Sequence, residues 1–191
     1  MTYLSLQTPD GLKRVQASPG PGGVDTPVHH SQSHRLFVVK TCPNSVANYA
    51  QGDAIGAADD VVFEFNIGAL GYKSATIIAA RLARKATAVV APRFRVWLHD
   101  APLATLTNAD DAPKPLLWAN VASRAGHIDF VSPIASDAPG GDMLEYIGQL
   151  SDQQGLIMRP ADGIIRALVT TRDAFARVAL EAYGLQLSVV C

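Results

Sequence analysis

Apolar residues fall on every second position in several stretches of the chain, and a period of two predicts strands with one buried face. In 61–67, Val61, Phe63, Phe65 and Ile67 point one way and Val62, Glu64 and Asn66 the other. In 93–99, Phe94, Val96 and Leu98 point inward, while Arg93, Arg95, Trp97 and His99 share the opposite face. Near the end, Tyr183, Leu185, Leu187 and Val189 share a face, which makes 184–190 a strand. The runs 35–41 and 164–171 are rich in β-branched residues and read the same way, with a shorter strand at 127–131. Two stretches are ambiguous. Ser74–Ala83 fits an alanine-rich helix or a strand, and its strand neighbours favour the strand. Residues 173–183, followed by Gly184, fit either a glycine-capped helix or a loop running into the last strand.

Turn formers separate these runs: Pro43-Asn44-Ser45, Gly68 and Gly71, Asp100-Ala101-Pro102, the loop 132–142 and Asp162-Gly163. A long connection over 103–126 carries Asp110-Asp111 and Leu116-Leu117-Trp118, the latter a packing anchor. Short strands joined by such turns predict an all-β body at 34–191, a β-sandwich or jelly roll. An extended N-terminal arm, 1–33, differs in character. In it, 4–7 and 12–16 flank Pro9-Asp10-Gly11 as a small hairpin, and Ser18–Gly23 reads as a Pro/Gly linker holding neither helix nor strand.

Composition narrows the function. Hydrophobic residues make up 48% and charged residues 17%, as in a folded domain. Lys+Arg 16 against Asp+Glu 17 leaves a net charge of −1, so no basic face points to nucleic acid. No apolar run reaches the ~18–20 residues of a membrane span, and the first residues lack the pattern of a secretory signal. A chain made in a cytoplasm is the expectation. Cys42 and Cys191 lack zinc-site spacing and read as two ordinary thiols, with Cys191, the last residue, as the candidate for an intersubunit thiol.

The candidate chemistry is sparse. His29, His30 and His34 lack the spacing and carboxylate companions of a metal site, so no metal or other cofactor is expected. Asp59-Asp60 and Asp110-Asp111 read as solvated turn formers, because adjacent carboxylates point apart. No nucleophile elbow, phosphate loop or dinucleotide fingerprint occurs, and no enzyme is expected. Arg95, Trp97 and His99 on one sheet face form a candidate interaction face: either a sugar-stacking platform or a surface covered by the other sheet or a neighbour.

Four motifs in order carry a resemblance. They are Tyr49-Ala50-x-Gly52-Asp53-x-Ile55-Gly56, the strand with Phe63 and Phe65, the run Ser74-Ala75-x-Ile77-Ile78, and Phe94-Arg95-x-x-Leu98-His99. Over about 35–190 the chain resembles a family of tailed-bacteriophage virion structural proteins of the capsid decoration or cement type. The resemblance implies a non-enzymatic subunit on the capsid surface, made in the host bacterial cytoplasm. It would bind the major capsid protein and neighbouring copies of itself, as a homo-oligomer such as a trimer, with no nucleic-acid or membrane partner. It brings no catalytic residue. The arm and Cys191 have no counterpart in it. The alternative is a carbohydrate- or receptor-binding module of a head or tail fibre, using Trp97.

Overall fold

The computed structural model describes residues 3–8, 11–16, 18–19, 25–26, 32–44, 48–85, 90–103, 110, 113, 118–134, 143–177 and 179–191. The chain divides into two units, Met1–Gln32 and Ser33–Cys191.

In the first unit, β1 (Tyr3–Thr8) and β2 (Gly11–Gln16) pair antiparallel, with Tyr3 opposite Gln16 and Thr8 opposite Gly11. This is the hairpin its alternation predicts. The supposed linker does hold a little structure: β3 (Ser18–Pro19) pairs with β4 (Asp25–Thr26). Two residues form a bridge without a strand-length pattern, and a proline fits there because it needs no ladder hydrogen bond on its free side.

The second unit is an all-β sandwich of antiparallel sheets. Its strands are β5 (Ser33–Thr41), β6 (Val62–Asn66), β7 (Ala75–Lys85), β8 (Phe94–His99), β9 (Arg124–Phe130), β10 (Met143–Ile147), β11 (Gln149–Leu150), β12 (Leu156–Met158), β13 (Ile164–Thr171) and β14 (Ala182–Val190). One sheet runs β10-β7-β14-β5, with β12 also on β7; the other runs β11-β9-β8-β13-β6. Ser74–Ala83 is therefore strand, part of β7. The described residues of 173–183 are not helical: Phe175 forms a bridge with Tyr49, and the chain enters β14 at Ala182.

The predicted alternation sets the core. Phe63 and Phe65 of β6, Phe94, Val96 and Leu98 of β8, and Tyr183, Leu185, Leu187 and Val189 of β14 are all buried in one cluster. Phe94 sits at its centre, edge-on to Tyr146 and Tyr183 with ring centroids 5.4 and 5.8 Å away. Every residue of β13 after Ile164 is buried, because this strand is covered on both faces.

The second cover comes from 49–61. Tyr49 and Phe175 exchange backbone hydrogen bonds of 3.0 and 3.1 Å, Gly52 N–H donates to Thr171 O and Ile55 N–H to Val169 O, each at 3.0 Å. Since β8 occupies the other edge of Val169–Thr171, this segment continues the edge on which β6 pairs with Ile164–Leu168. The turn before it uses Gly52 at φ 92°, a left-handed conformation suited to glycine, and the Asp53 carboxylate accepts the Ala50 N–H at 2.6 Å. Ala54 and Val61 then pack on Leu168, with Val62 and Trp97 alongside, as a second small core.

Candidate functional site

Two groups of polar side chains stand out, one buried at an end of the sandwich and one on the outer face of the second sheet. The buried group contains Cys42, Tyr49, Asp110 and Arg177. Arg177 pairs with Asp110 Oδ2, the side chains being 0% and 2% exposed. Tyr49 Oη donates to Asp110 Oδ1 at 2.8 Å, and Arg177 Nη1 donates to Tyr49 Oη at 3.2 Å. Gly56 N–H donates to the same carboxylate at 3.0 Å, and Cys42 Sγ lies 3.2 Å from Tyr49 Oη. Asp110 is thus no solvated turn former. Its carboxylate ties the long connection to the 49–56 turn and the loop after β13.

A second buried pair, Arg84 and Glu181, lies beside it: Nη2 to Oε1 is 2.6 Å, and the Arg84 guanidinium stacks 4.7 Å from the Phe175 ring. A thiol beside a phenol and an arginine has the residue types of an activated nucleophile, but burial pushes the Cys42 thiol up to about 12 and the Tyr49 phenol up as well. Both stay protonated near neutral pH, and the hydrogen bonds among these side chains lock the three segments together. Alkylation of the folded protein with iodoacetamide is accordingly expected to label Cys191, which is half-buried, and to spare Cys42 until denaturant is added. Modification of Cys42 in the native state, read by peptide mass spectrometry, would contradict the lock.

Asp60 also has a partner: Lys40, buried at the end of β5, pairs with its exposed carboxylate and stands 5.6 Å from the Phe63 ring.

The outer face of the second sheet carries the candidate interaction residues. Arg95 donates Nε and Nη2 to the two oxygens of Asp129, at 2.6 and 2.7 Å, across the β8–β9 ladder. Arg172 Nη1 reaches the same carboxylate at 3.4 Å. These guanidinium groups, Arg95 first, hold the Asp129 carboxyl below its ordinary range. The Trp97 ring is flanked by Arg95 at 5.2 Å, Arg124 at 5.6 Å and His127 at 5.4 Å. His99 adds nothing exposed to this face. It is 3% exposed, with Nδ1 3.2 Å from Ser123 Oγ, and the β8–β9 register shifts beside it, between Leu98 and His99. Trp97 is itself half-buried against the second small core. Its cover is the chain's own 54–62 segment, not the other sheet.

Among the other expected residues, Tyr49, Asp53, Gly56, Phe63, Phe65, Phe94 and Leu98 are all buried. His34 lies on β5 against the Tyr72 ring, 5.5 Å between centroids, while His29 and His30 lie outside the described residues. Among the described residues no group of three or more His, Cys, Asp or Glu side chains is placed to hold a metal ion. Sequence reasoning missed one surface. The outer face of the first sheet exposes Phe37 and Val39 on β5, Ile78 on β7, Met143 and Ile147 on β10, and Ile157 on β12. The signal was present in β5, where Leu36, Phe37, Val38 and Val39 are four apolar residues in a row and alternation must leave two of them outside.

No family model matches the chain, and no curated protein sequence is similar to it.

Proposed function

We propose that this chain is a non-enzymatic structural subunit of a tailed-phage virion, a decoration or cement protein that binds the major capsid protein and neighbouring copies of itself. The observation that carries the reading is strand order. In chain order the main strands of the body are β5, β6, β7, β8, β9, β10, β13 and β14, and the sheets run β5-β14-β7-β10 and β6-β13-β8-β9. First pairs with last in one sheet, and second with second-last in the other. That nesting favours a jelly-roll winding, an architecture that recurs in viral capsid domains.

Fold alone also admits lectins. A lectin reading needs polar groups beside the aromatic ring that are free to meet sugar hydroxyls. Here Arg95 is clamped by Asp129 and His99 is buried, which weakens it. The interior favours a scaffold: its cations and carboxylates neutralise one another, and its thiol stays protonated. A cement subunit needs a rigid body of this kind with exposed apolar surface for docking.

The test is the composition of the particle. Phage particles purified through a density gradient should contain this chain at a fixed ratio to the major capsid protein, with its density on the outside of the shell by cryo-EM. Recovery only from the particle-free lysate, or density confined to the tail, would overturn the proposal.

A further inference from the structure

We infer that the free edge of β5 is a self-association site, where two copies of this chain pair their β5 strands antiparallel about a two-fold axis at Phe37. It gives the self-binding proposed above a specific surface, and it rests on the sheet edge, so it would stand if the virion reading failed.

A sheet edge leaves a row of N–H and C=O groups to be paired, and proteins usually blunt such edges with short strands, prolines, bulges or charges. Three of the four sheet ends in the body follow that rule. β10 has five residues and β12 three, β11 has two, and β6 has five, its edge being extended by the turn at 49–55. β5 does not. It has nine residues, its register with β14 is unbroken from Ser33 to Thr41, and it contains no proline. Its one lysine, Lys40, is buried and paired with Asp60, which leaves Arg35 as the single exposed formal charge along it. Within the described sheets β5 is the terminal strand.

The phase of the edge follows from one bond. Cys42 N–H donates to Glu181 O at 2.8 Å, continuing the β5–β14 ladder. With a period of two, even-numbered residues of β5 turn their N–H and C=O groups toward β14. Ser33, Arg35, Phe37, Val39 and Thr41 therefore present theirs to the free edge. The Phe37 ring does not block the approach. It lies over Gly184 on the neighbouring strand, so close that a Cβ there would come within 2.7 Å of its Cζ.

The strand is complementary to itself. With the axis at Phe37, its midpoint, all nine residues pair: Arg35 faces the second copy's Val39, Leu36 faces Val38, His34 faces Lys40 and Ser33 faces Thr41. The two Phe37 residues stand opposite each other at the centre, each ring lying back over its own Gly184. Phe37 and Val39 are 60% and 53% exposed, and pairing joins them into one apolar strip across both copies. An axis at Arg35 would oppose two arginines, and any other axis shortens the ladder. Charge and length together select Phe37.

Val39 supplies a test with opposite signs at one exposed position. Sedimentation of the full chain should show a monomer–dimer equilibrium. Val39→Arg places like charges opposite each Arg35 at both ends of the ladder, and should weaken dimerisation about tenfold. Val39→Glu should strengthen it, and Arg35→Glu combined with Val39→Arg should restore it. Circular dichroism checks that each variant is folded. Phe37→Cys in a Cys191→Ser background should cross-link across the axis under mild oxidation, whereas Arg35→Cys should not, its symmetry mate lying beyond disulfide reach. A protein monomeric at all concentrations would overturn the inference. So would Val39→Arg and Val39→Glu variants that shift the equilibrium alike.

Discussion

Glu181→Leu is expected to lower the stability of the body by about 3–5 kcal/mol, the cost of leaving one buried charge without its partner. Glu181 and Arg84 are 1% and 0% exposed, with two contacts of 2.6 and 3.2 Å between them. Tyr183 Oη donates a further 2.7 Å bond to the carboxylate, and Arg84 Nη1 donates to Val90 O at 2.8 Å. Removing the carboxylate strands a cation against Phe175 and deprives the Tyr183 hydroxyl of its acceptor. Urea unfolding should show the loss as a lower midpoint, and heating as a drop of about 10 °C. The double variant Arg84→Met with Glu181→Leu should be much closer to the native protein, because an apolar pair avoids the desolvation that the ion pair had to offset. A single-variant loss below about 1 kcal/mol, or a double variant no better than the single, would show that the pair is not electrostatically closed.

Glu181, together with Arg177, also shows where local pattern stops being informative. Arg177 and Glu181 stand four apart, which on a helix would make them an ion pair on one face, and the run between Asp173 and Gly184 fits a capped helix. In the fold each takes a partner from far away in sequence: Arg177 takes Asp110, 67 residues distant, and Glu181 takes Arg84, 97 residues distant. Phe175 is drawn into a bridge with Tyr49. Tertiary pairing overrides a helical propensity that had nothing else to hold it. Where one face of a strand is simply buried, as in β6, β8 and β14, the alternation was legible directly; β13, covered on both faces, was legible only from its β-branched composition. The strands between Met143 and Met158 were not: two and three residues are too few to establish a period in β11 and β12, and the apolar residues of β10, Met143, Leu144, Tyr146 and Ile147, do not alternate.

Site residues divide in the same way. Asp53 acts within its own turn, and its role is visible from Gly52-Asp53 alone. Asp110 has the same local character, a carboxylate in an Asn/Asp-rich connection, yet it is buried by an arginine that nothing nearby announces. His99 illustrates a subtler limit. Period two puts it on the face of Arg95 and Trp97, but it is enclosed there, with Ser123 against it and a register shift beside it in the neighbouring ladder. Bulges of this kind depend on how two strands meet, and a single strand's pattern does not contain them.

That enclosure gives the protein a measurable acid response. Burial, with the nearby Arg124 cation adding to it, brings the His99 imidazole down to about 4, so in the folded protein it stays neutral where an unfolded chain's histidine would take a proton. A group whose pKa is lowered by folding in this way favours the unfolded state as it protonates there. Its contribution is intact above the ordinary value of 6.5, is lost as pH falls from 6.5 to about 4, and levels off below. The full loss is about 3 kcal/mol. Carboxylates act in a separate, lower window. Asp173, held at about 2 by the side chain and backbone of Arg93, begins to lose its contribution only as pH drops below its ordinary 3.8. Urea midpoints measured at neutral pH and near pH 4.5 should therefore fall steeply for the native chain. His99→Gln should flatten most of that slope, leaving a residue from His127, whose imidazole is also lowered, by burial and then by Arg95. An unchanged slope in the variant would mean that His99 is not enclosed as described; a native chain equally stable at both pH values would mean that neither imidazole is.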